Sequence, residues 1–235
     1  MGLPYFVFKG IDSRDMGLAV ITYPPITRPV ERVTQKSLPG RPGSLTLIEG
    51  DDIFEGYIRT ISFANIKPNR MQDVMAWLRG SGELIVGNEP DRVYYARVIN
   101  AVDGSKLWKG AQRMSAQFYC QPYKGLFPPE SDITLTATGT VVNPGDVASR
   151  PILTVFGANA AVLTVNGTQL DINGFSAGFR FTIDCDAGTA VNSQGLNMMY
   201  RISGGMPTLS PGSNTITFGA NITQVIITPR WRWIG

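Results

Sequence analysis

The chain of 235 residues contains no histidine, and that bears first on any chemistry it could perform. Histidine is the usual general base near neutral pH, the commonest metal ligand and a member of every Ser/His and Cys/His dyad. Its absence lowers the prospect of acid–base, nucleophilic and metal mechanisms together. Asp184 and Asp186 stand at i and i+2 in FTIDCDAG. On a strand they would share one face, as the acid and base of a glycoside hydrolase require. The simpler reading is a strand end that runs into a turn at Ala187–Gly188. Cys120 and Cys185 are the only cysteines, and they read as small apolar strand residues, not as a disulfide framework or a metal-spaced pair. No phosphate-cradling glycine motif is present. The expectation is a non-enzyme with no catalytic residue, no metal and no cofactor.

Two other groups of residues suit binding. Trp231 and Trp233 alternate with Arg230 and Arg232, so a final strand would carry two indoles on one face and two guanidinium groups on the other. Aromatic rings displayed that way stack on the apolar faces of sugars, and this makes an outer-surface glycan platform the alternative function. The competing reading closes a sandwich with the indoles turned inward. The stretch 28–43, RPVERVTQKSLPGRPG, is the most basic part of the chain, with Arg28, Arg32, Lys36 and Arg41 against Glu31 alone. It reads either as a solvated hairpin arm or as an extended arm that contacts a neighbouring subunit or an acidic partner, because Pro39, Gly40 and Gly43 leave it little to pack against in its own domain. Its charge suits the weakly positive lining of a passage that carries DNA better than base readout.

The elements that position these residues are mostly strands. Glycine and proline number 26 and 16, and only 17% of residues are charged, a composition of many turns between short elements. The net charge of +3 is too small for a dedicated nucleic-acid binder. The opening MGLPYFVFKG has no basic segment ahead of a long apolar run, and no stretch approaches membrane-spanning length. The product is expected to be soluble, non-secreted and free of membrane contact. The sequons at Asn166 and Asn221 then carry no consequence.

Charge divides the chain near residue 128: residues 1–128 hold 16 basic and 12 acidic residues, and 129–235 hold 5 and 6. Consecutive prolines in YKGLFPPESD mark the expected boundary between two domains. In the first, short β-rich runs recur between turn signals. In the strand from Tyr57, the alternation of Tyr57, Arg59, Ile61 and Phe63 with Ile58, Thr60 and Ser62 leaves either face as the buried one. One helix is expected near 68–79, with Met71, Val74, Met75 and Leu78 on its inner face, Pro68 in its first turn and Gly80 just past its end. The second domain reads as strands throughout, a β-sandwich with a two-residue hairpin at Asn166–Gly167.

The order of these features resembles the siphophage distal tail proteins. FKGIDSRDMGLAV, the basic stretch leading to LPGRPGSL, RTISF, the helix ending MAWLRG and GELIVGNEPDRVYYARV follow the family's N-terminal domain. TGTVVNPGDVASRPILTVFG, VNGTQLDI, FTIDCD, LSPGSNTITF and IITPRWRW follow its C-terminal sandwich. The resemblance implies a mainly β chain: a tail-tube-like β-sandwich domain with one α-helix over 1–128, then a galectin-like β-sandwich over 129–235. It implies a structural virion protein at the distal end of the tail, assembled in the host cytoplasm as a homo-hexameric ring, single or stacked in pairs. Implied partners are the tail tube protein, the tail-tip hub or tail-associated protein, the tape measure protein and receptor-binding or adhesion proteins, with DNA passing transiently through the channel. The arm with Arg28, Arg32, Lys36, Pro39, Gly40, Arg41 and Gly43 is then the part that crosses to the next protomer.

Overall fold

The computed structural model describes residues 4–40, 42–48, 50, 53–65, 70–100, 103–106 and 112–235. The chain forms two compact units, one of residues 1–127 together with Ile234–Gly235, the other Pro128–Trp233. The last two residues therefore leave the second block and join the first, a return that a simple two-block division does not contain. Gly235 N–H donates to the Pro122 carbonyl at 2.8 Å.

The first unit holds strands β1 (Phe6–Phe8), β2 (Ile11–Asp12), β3 (Leu18–Thr22), β4 (Val33–Ser37), β5 (Ser44–Ile48) and β6 (Tyr57–Asn65), then helix α1 (Met71–Trp77), β7 (Ser81–Val86), β8 (Glu89–Val98), β9 (Asp103–Lys106) and β10 (Gln112–Leu126). Its main sheet runs β2-β1-β7-β8-β10-β6-β3, with β9 on the far half of β10. The pairings are antiparallel, and the β8–β10 register shifts between Cys120 and Lys124. In β6 the face left open by the sequence is settled: Arg59, Ile61 and Phe63 are buried, whereas Ile58 and Thr60 are exposed. The core gathers Phe6, Phe8, Phe63, Leu84, Tyr94 and Phe118.

Helix α1 covers that core with seven residues, and the expected positions 68 and 69, Pro68 among them, lie outside the described residues. Val74 and Leu78 are buried as the 3.6-residue period requires, but Met75 is 47% exposed and Trp77 takes its place inside. The reason is a specific contact: the Trp77 ring stacks on Phe6 with centroids 5.5 Å apart, and its Nε1–H donates to the Phe8 carbonyl at 3.0 Å. A buried indole satisfied in this way contributes more than an unbranched methionine at the same rim. Gly80 follows with φ +74.

The second unit contains β11 (Ile133–Leu135), β12 (Gly139–Asn143), β13 (Ile152–Gly157), β14 (Ala160–Val165), β15 (Thr168–Asn173), β16 (Phe179–Asp184), β17 (Thr189–Asn192), β18 (Ile202–Gly204), β19 (Gly212–Phe218) and β20 (Ile222–Thr228), and β21 (Trp233–Ile234) follows. Its two five-stranded sheets run β11-β20-β13-β16-β17 and β12-β19-β14-β15-β18. Alternation places Leu153, Val155, Phe181, Ile183, Val225 and Ile227 of the first sheet in one core with Leu163, Val165, Leu170, Ile172 and Ile216 of the second, the period-two signature of a sandwich. At the β14–β15 hairpin Asn166 and Gly167 take φ of +48 and +86, and Val165 faces Thr168. This is the two-residue turn the Asn-Gly dipeptide predicts. The described residues are thus mainly β, with curled sheets and one α-helix. Among the described residues, no helix is long and apolar enough to cross a membrane.

Candidate functional site

The basic stretch of the first unit forms an exposed hairpin. β4 and β5 pair only as far as a two-stranded sheet of their own, with Val33 opposite Ile48 and Ser37 opposite Ser44, and all ten residues are exposed. The base is held by Arg32 N–H to the Ile53 carbonyl at 2.9 Å, Glu55 N–H to the Val30 carbonyl at 2.8 Å and a bridge between Glu31 and Phe54. Phe54 is the anchor: it is buried, packs edge-on against Tyr123 and carries the Arg28 guanidinium 6.0 Å from its ring centre. Lys36 lies on β4 opposite Leu45. Pro39, Gly40 and Gly43 lie in the tip, where the two glycines take left-handed φ of +75 and +88. Leu38, Pro42, Gly43, Ser44 and Leu45 line a shallow hollow there. Arg41 lies outside the described residues.

Charge drew attention to this arm, but its apolar residues are what the sequence reading missed. The register puts Val33 and Ile48 on one face and Leu45 and Leu47 on the other. Ile48 is 65% exposed and Val30, just before β4, 70%. The two-residue alternation of Leu45 and Leu47 in SLTLI was the signal available. An isolated two-stranded hairpin is marginal in water, and exposed apolar side chains on both of its faces are the kind of surface that marks an interaction site. A second exposed apolar pair, Ile58 and Tyr119, sits on the outer face of the main sheet in direct cross-strand register.

The tryptophans do not form a platform. Trp231 is 6% exposed and belongs to the sandwich core, and Trp233 is half-buried against the same core. The expected outer-surface or glycan role for this pair is therefore corrected. Arg230 has φ +53, so no continuous strand spans 230–233 and the alternation of faces fails.

The carboxylates are likewise structural. Asp184 ends β16 and Asp186 lies in the turn beyond it, so they do not share a strand face. The Asp184 carboxylate accepts a bidentate pair from Arg230, both contacts 2.9 Å, and the backbone N–H groups of Asp186 and Ala187. The Arg230 hydrogen bonds hold its carboxyl below the usual carboxylate range against a modest opposing effect of burial. Asp186 meets Arg232 at 3.1 Å and Arg150 at 3.4 Å. A glycosidase acid needs its pKa raised, and Asp184 is shifted the other way. The two thiols are no better placed for chemistry, since burial pushes Cys120 and Cys185 up to about 12 and the thiol form is not nucleophilic.

The first unit also buries a charged cluster. Glu89 accepts from Lys124 Nζ at 2.8 Å, from Arg59 Nη1 at 3.4 Å and from the Tyr94 hydroxyl. The Arg59 guanidinium lies 4.3 Å over the Tyr94 ring and is 1% exposed. Arg59 lies on β6 opposite Phe118, and Lys124 lies on β10 just past the register shift that follows Cys120.

No protein-family model matches the sequence, and no curated protein matches it. The architecture, by contrast, is the fold of a siphophage distal tail hub protein. One solved structure that carries it is the crystal structure of SPP1 Dit (gp 19.1), a protein presented as a paradigm of the hub adsorption apparatus in phages that infect Gram-positive bacteria. The two superpose with a TM-score of 0.79 over 99% of this chain and 100% of that one, at 16% sequence identity.

Proposed function

We propose that this chain is a structural virion protein of a siphophage tail tip, a distal tail protein whose copies form a hexameric ring, single or stacked in pairs. In this reading the ring joins the tail tube to the tail-tip hub, leaves a central channel for DNA and offers docking surfaces to receptor-binding or adhesion proteins. Residues 1–128 build the ring, and the sandwich of 129–235 faces outward. The observation that carries the proposal is the likeness of fold to SPP1 Dit along almost the entire chain. The arm supports it independently. A ring that closes by rotation needs two different patches on each subunit, and a hairpin with apolar residues on both faces suits insertion against a neighbour better than exposure to water. Arg28, Arg32, Lys36, Pro39, Gly40, Arg41 and Gly43 are the contact residues of this proposal.

The test is native mass by light scattering across a concentration series, with negative-stain images of the main species. A mass near six or twelve times 25.6 kDa, in particles with a central hole, is expected. A monomer at every concentration, alone and mixed with tail tube protein, counts against ring formation.

A further inference from the structure

Two Asn-Gly dipeptides occur in the chain, Asn166–Gly167 and Asn173–Gly174. In an unfolded chain such a peptide modifies itself. The glycine nitrogen loses its proton and bonds to the asparagine Cγ, the Cγ–Nδ2 bond breaks, and ammonia carries the proton away. Water then opens the succinimide to aspartate or isoaspartate. Asparagine is thermolabile for this reason, and glycine, with no side chain to hinder the attacking nitrogen, makes the reaction fastest.

Asn166 is exposed at a hairpin tip, where such a reaction would be expected, yet its carboxamide is held at both ends. Its Oδ1 accepts the Thr215 N–H at 2.9 Å, and its Nδ2 donates to Asn214 Oδ1 at 2.6 Å. Chemistry fixes the orientation of both amides. A backbone N–H only donates, so the atom facing Thr215 is oxygen. The Asn214 nitrogen faces three carbonyls, of Ser210 at 2.8 Å, Gly212 at 2.9 Å and Val141 at 3.3 Å, so its oxygen is the atom left for Asn166. Asn214 is fully buried, and those three carbonyls hold its amide in place. The Asn166 main chain is tied to the same strand, its N–H donating to the Thr215 carbonyl at 3.0 Å.

We propose that Asn166–Gly167 is a latent deamidation site held shut by its amide contacts to Asn214 and Thr215 on β19. To react, the Asn166 Cγ must turn over the Gly167 nitrogen, and this breaks both side-chain hydrogen bonds. The product is also unwelcome: an aspartate would set a carboxylate oxygen against Asn214 Oδ1, and an isoaspartate would lengthen a turn that accommodates two residues. At Asn173 the block differs, because the attacking nitrogen itself is engaged: Gly174 N–H donates to the Asn159 carbonyl at 3.0 Å. The inference is independent of the functional reading.

The test is peptide mapping by mass spectrometry after timed incubation in mildly alkaline buffer, with the chain folded and in urea. In urea both sites convert. In the folded chain Asn166 converts about thirtyfold more slowly, the factor that two hydrogen bonds of ordinary net strength supply. Equal rates at Asn166 in the two states overturn the proposal. With Asn214→Ala, acceleration at Asn166 and an unchanged rate at Asn173 are expected. No acceleration at Asn166, or an equal rise at both sites, overturns the assignment to the Asn214 contact. The comparison of folded and unfolded chain decides the matter without that variant.

Discussion

Replacing Glu89 with glutamine tests whether the buried charged cluster stabilises the first unit. The carboxylate is the counter-charge to Arg59 and Lys124, whose side chains are 1% and 11% exposed, and its own exposure is 13%. Burial pushes the Glu89 carboxyl up, but hydrogen bonds from Lys124 and Tyr94 and the charges of Lys124 and Arg59 outweigh it and hold the group below its ordinary value. Glutamine keeps the shape and leaves two enclosed cations without an anion. Breaking a buried pair from one side costs about 3–5 kcal/mol, and the residual exposure of Glu89 and Lys124 argues for about 3. At roughly 2–4 °C per kcal/mol for a chain of this size, the transition of the first unit falls by about 6–12 °C, read by calorimetry with urea unfolding alongside. Glu89→Gln combined with Lys124→Met removes one of the stranded cations and recovers part of the loss. A single-variant cost near that of a surface ion pair, under about 1 kcal/mol, would refute the idea that this cluster is electrostatically enclosed.

Other expectations follow from the same contacts. Asp184 has a folded pKa below the ordinary value of 3.8, so its stabilisation is present above that pH and is lost as pH falls toward the folded value. Near-UV circular dichroism in an acid titration should show this loss in the second unit, and Asp184→Asn should remove it at a cost of about 1 kcal/mol, kept small by partial exposure. Trp231→Ala opens a cavity and should destabilise the sandwich by about 3–5 kcal/mol; a thermal melt like that of the parent would contradict its burial. Leu45→Asp and Leu47→Asp, both on the exposed arm, should leave the melting of dilute protein within about 0.5 kcal/mol of the parent and reduce the assembled mass in light scattering. Unchanged assembly would remove the arm from the proposed interface.

What could be read from the sequence was what neighbours along the chain decide. The hairpin at Asn166–Gly167 needed only the left-handed tolerance of two adjacent residues, and the alternation of Leu153 and Val155 in β13 and of Phe179, Phe181 and Ile183 in β16 needed only a period of two. Inference failed where distant residues decide. Arg59 is buried and Ile58 exposed because Glu89, Tyr94 and Lys124, brought up by β8 and β10, give the guanidinium its partners. Trp77 displaced Met75 because the Phe8 carbonyl waits on another strand. The tryptophan and carboxylate pairs misled for a shared reason: i, i+2 reasoning holds only in extended backbone, and Arg230 and the turn after Asp184 interrupt it. The arm was legible as an arm through its charge and turn residues, but its two apolar faces emerge only once Val33 is known to stand opposite Ile48.

The return of Ile234–Gly235 to the first unit makes the order of synthesis part of the fold. β21 pairs with β10, yet residues 128–233 are made between them. At roughly 5–20 residues per second, translation of that interval takes on the order of 5–20 s. During that time the nascent first unit stands with one place on β10 empty. The sandwich is an insertion in the topological sense, entered after β10 and left before the residues that pair with it. The first unit is thus the earlier to begin folding and the last to finish.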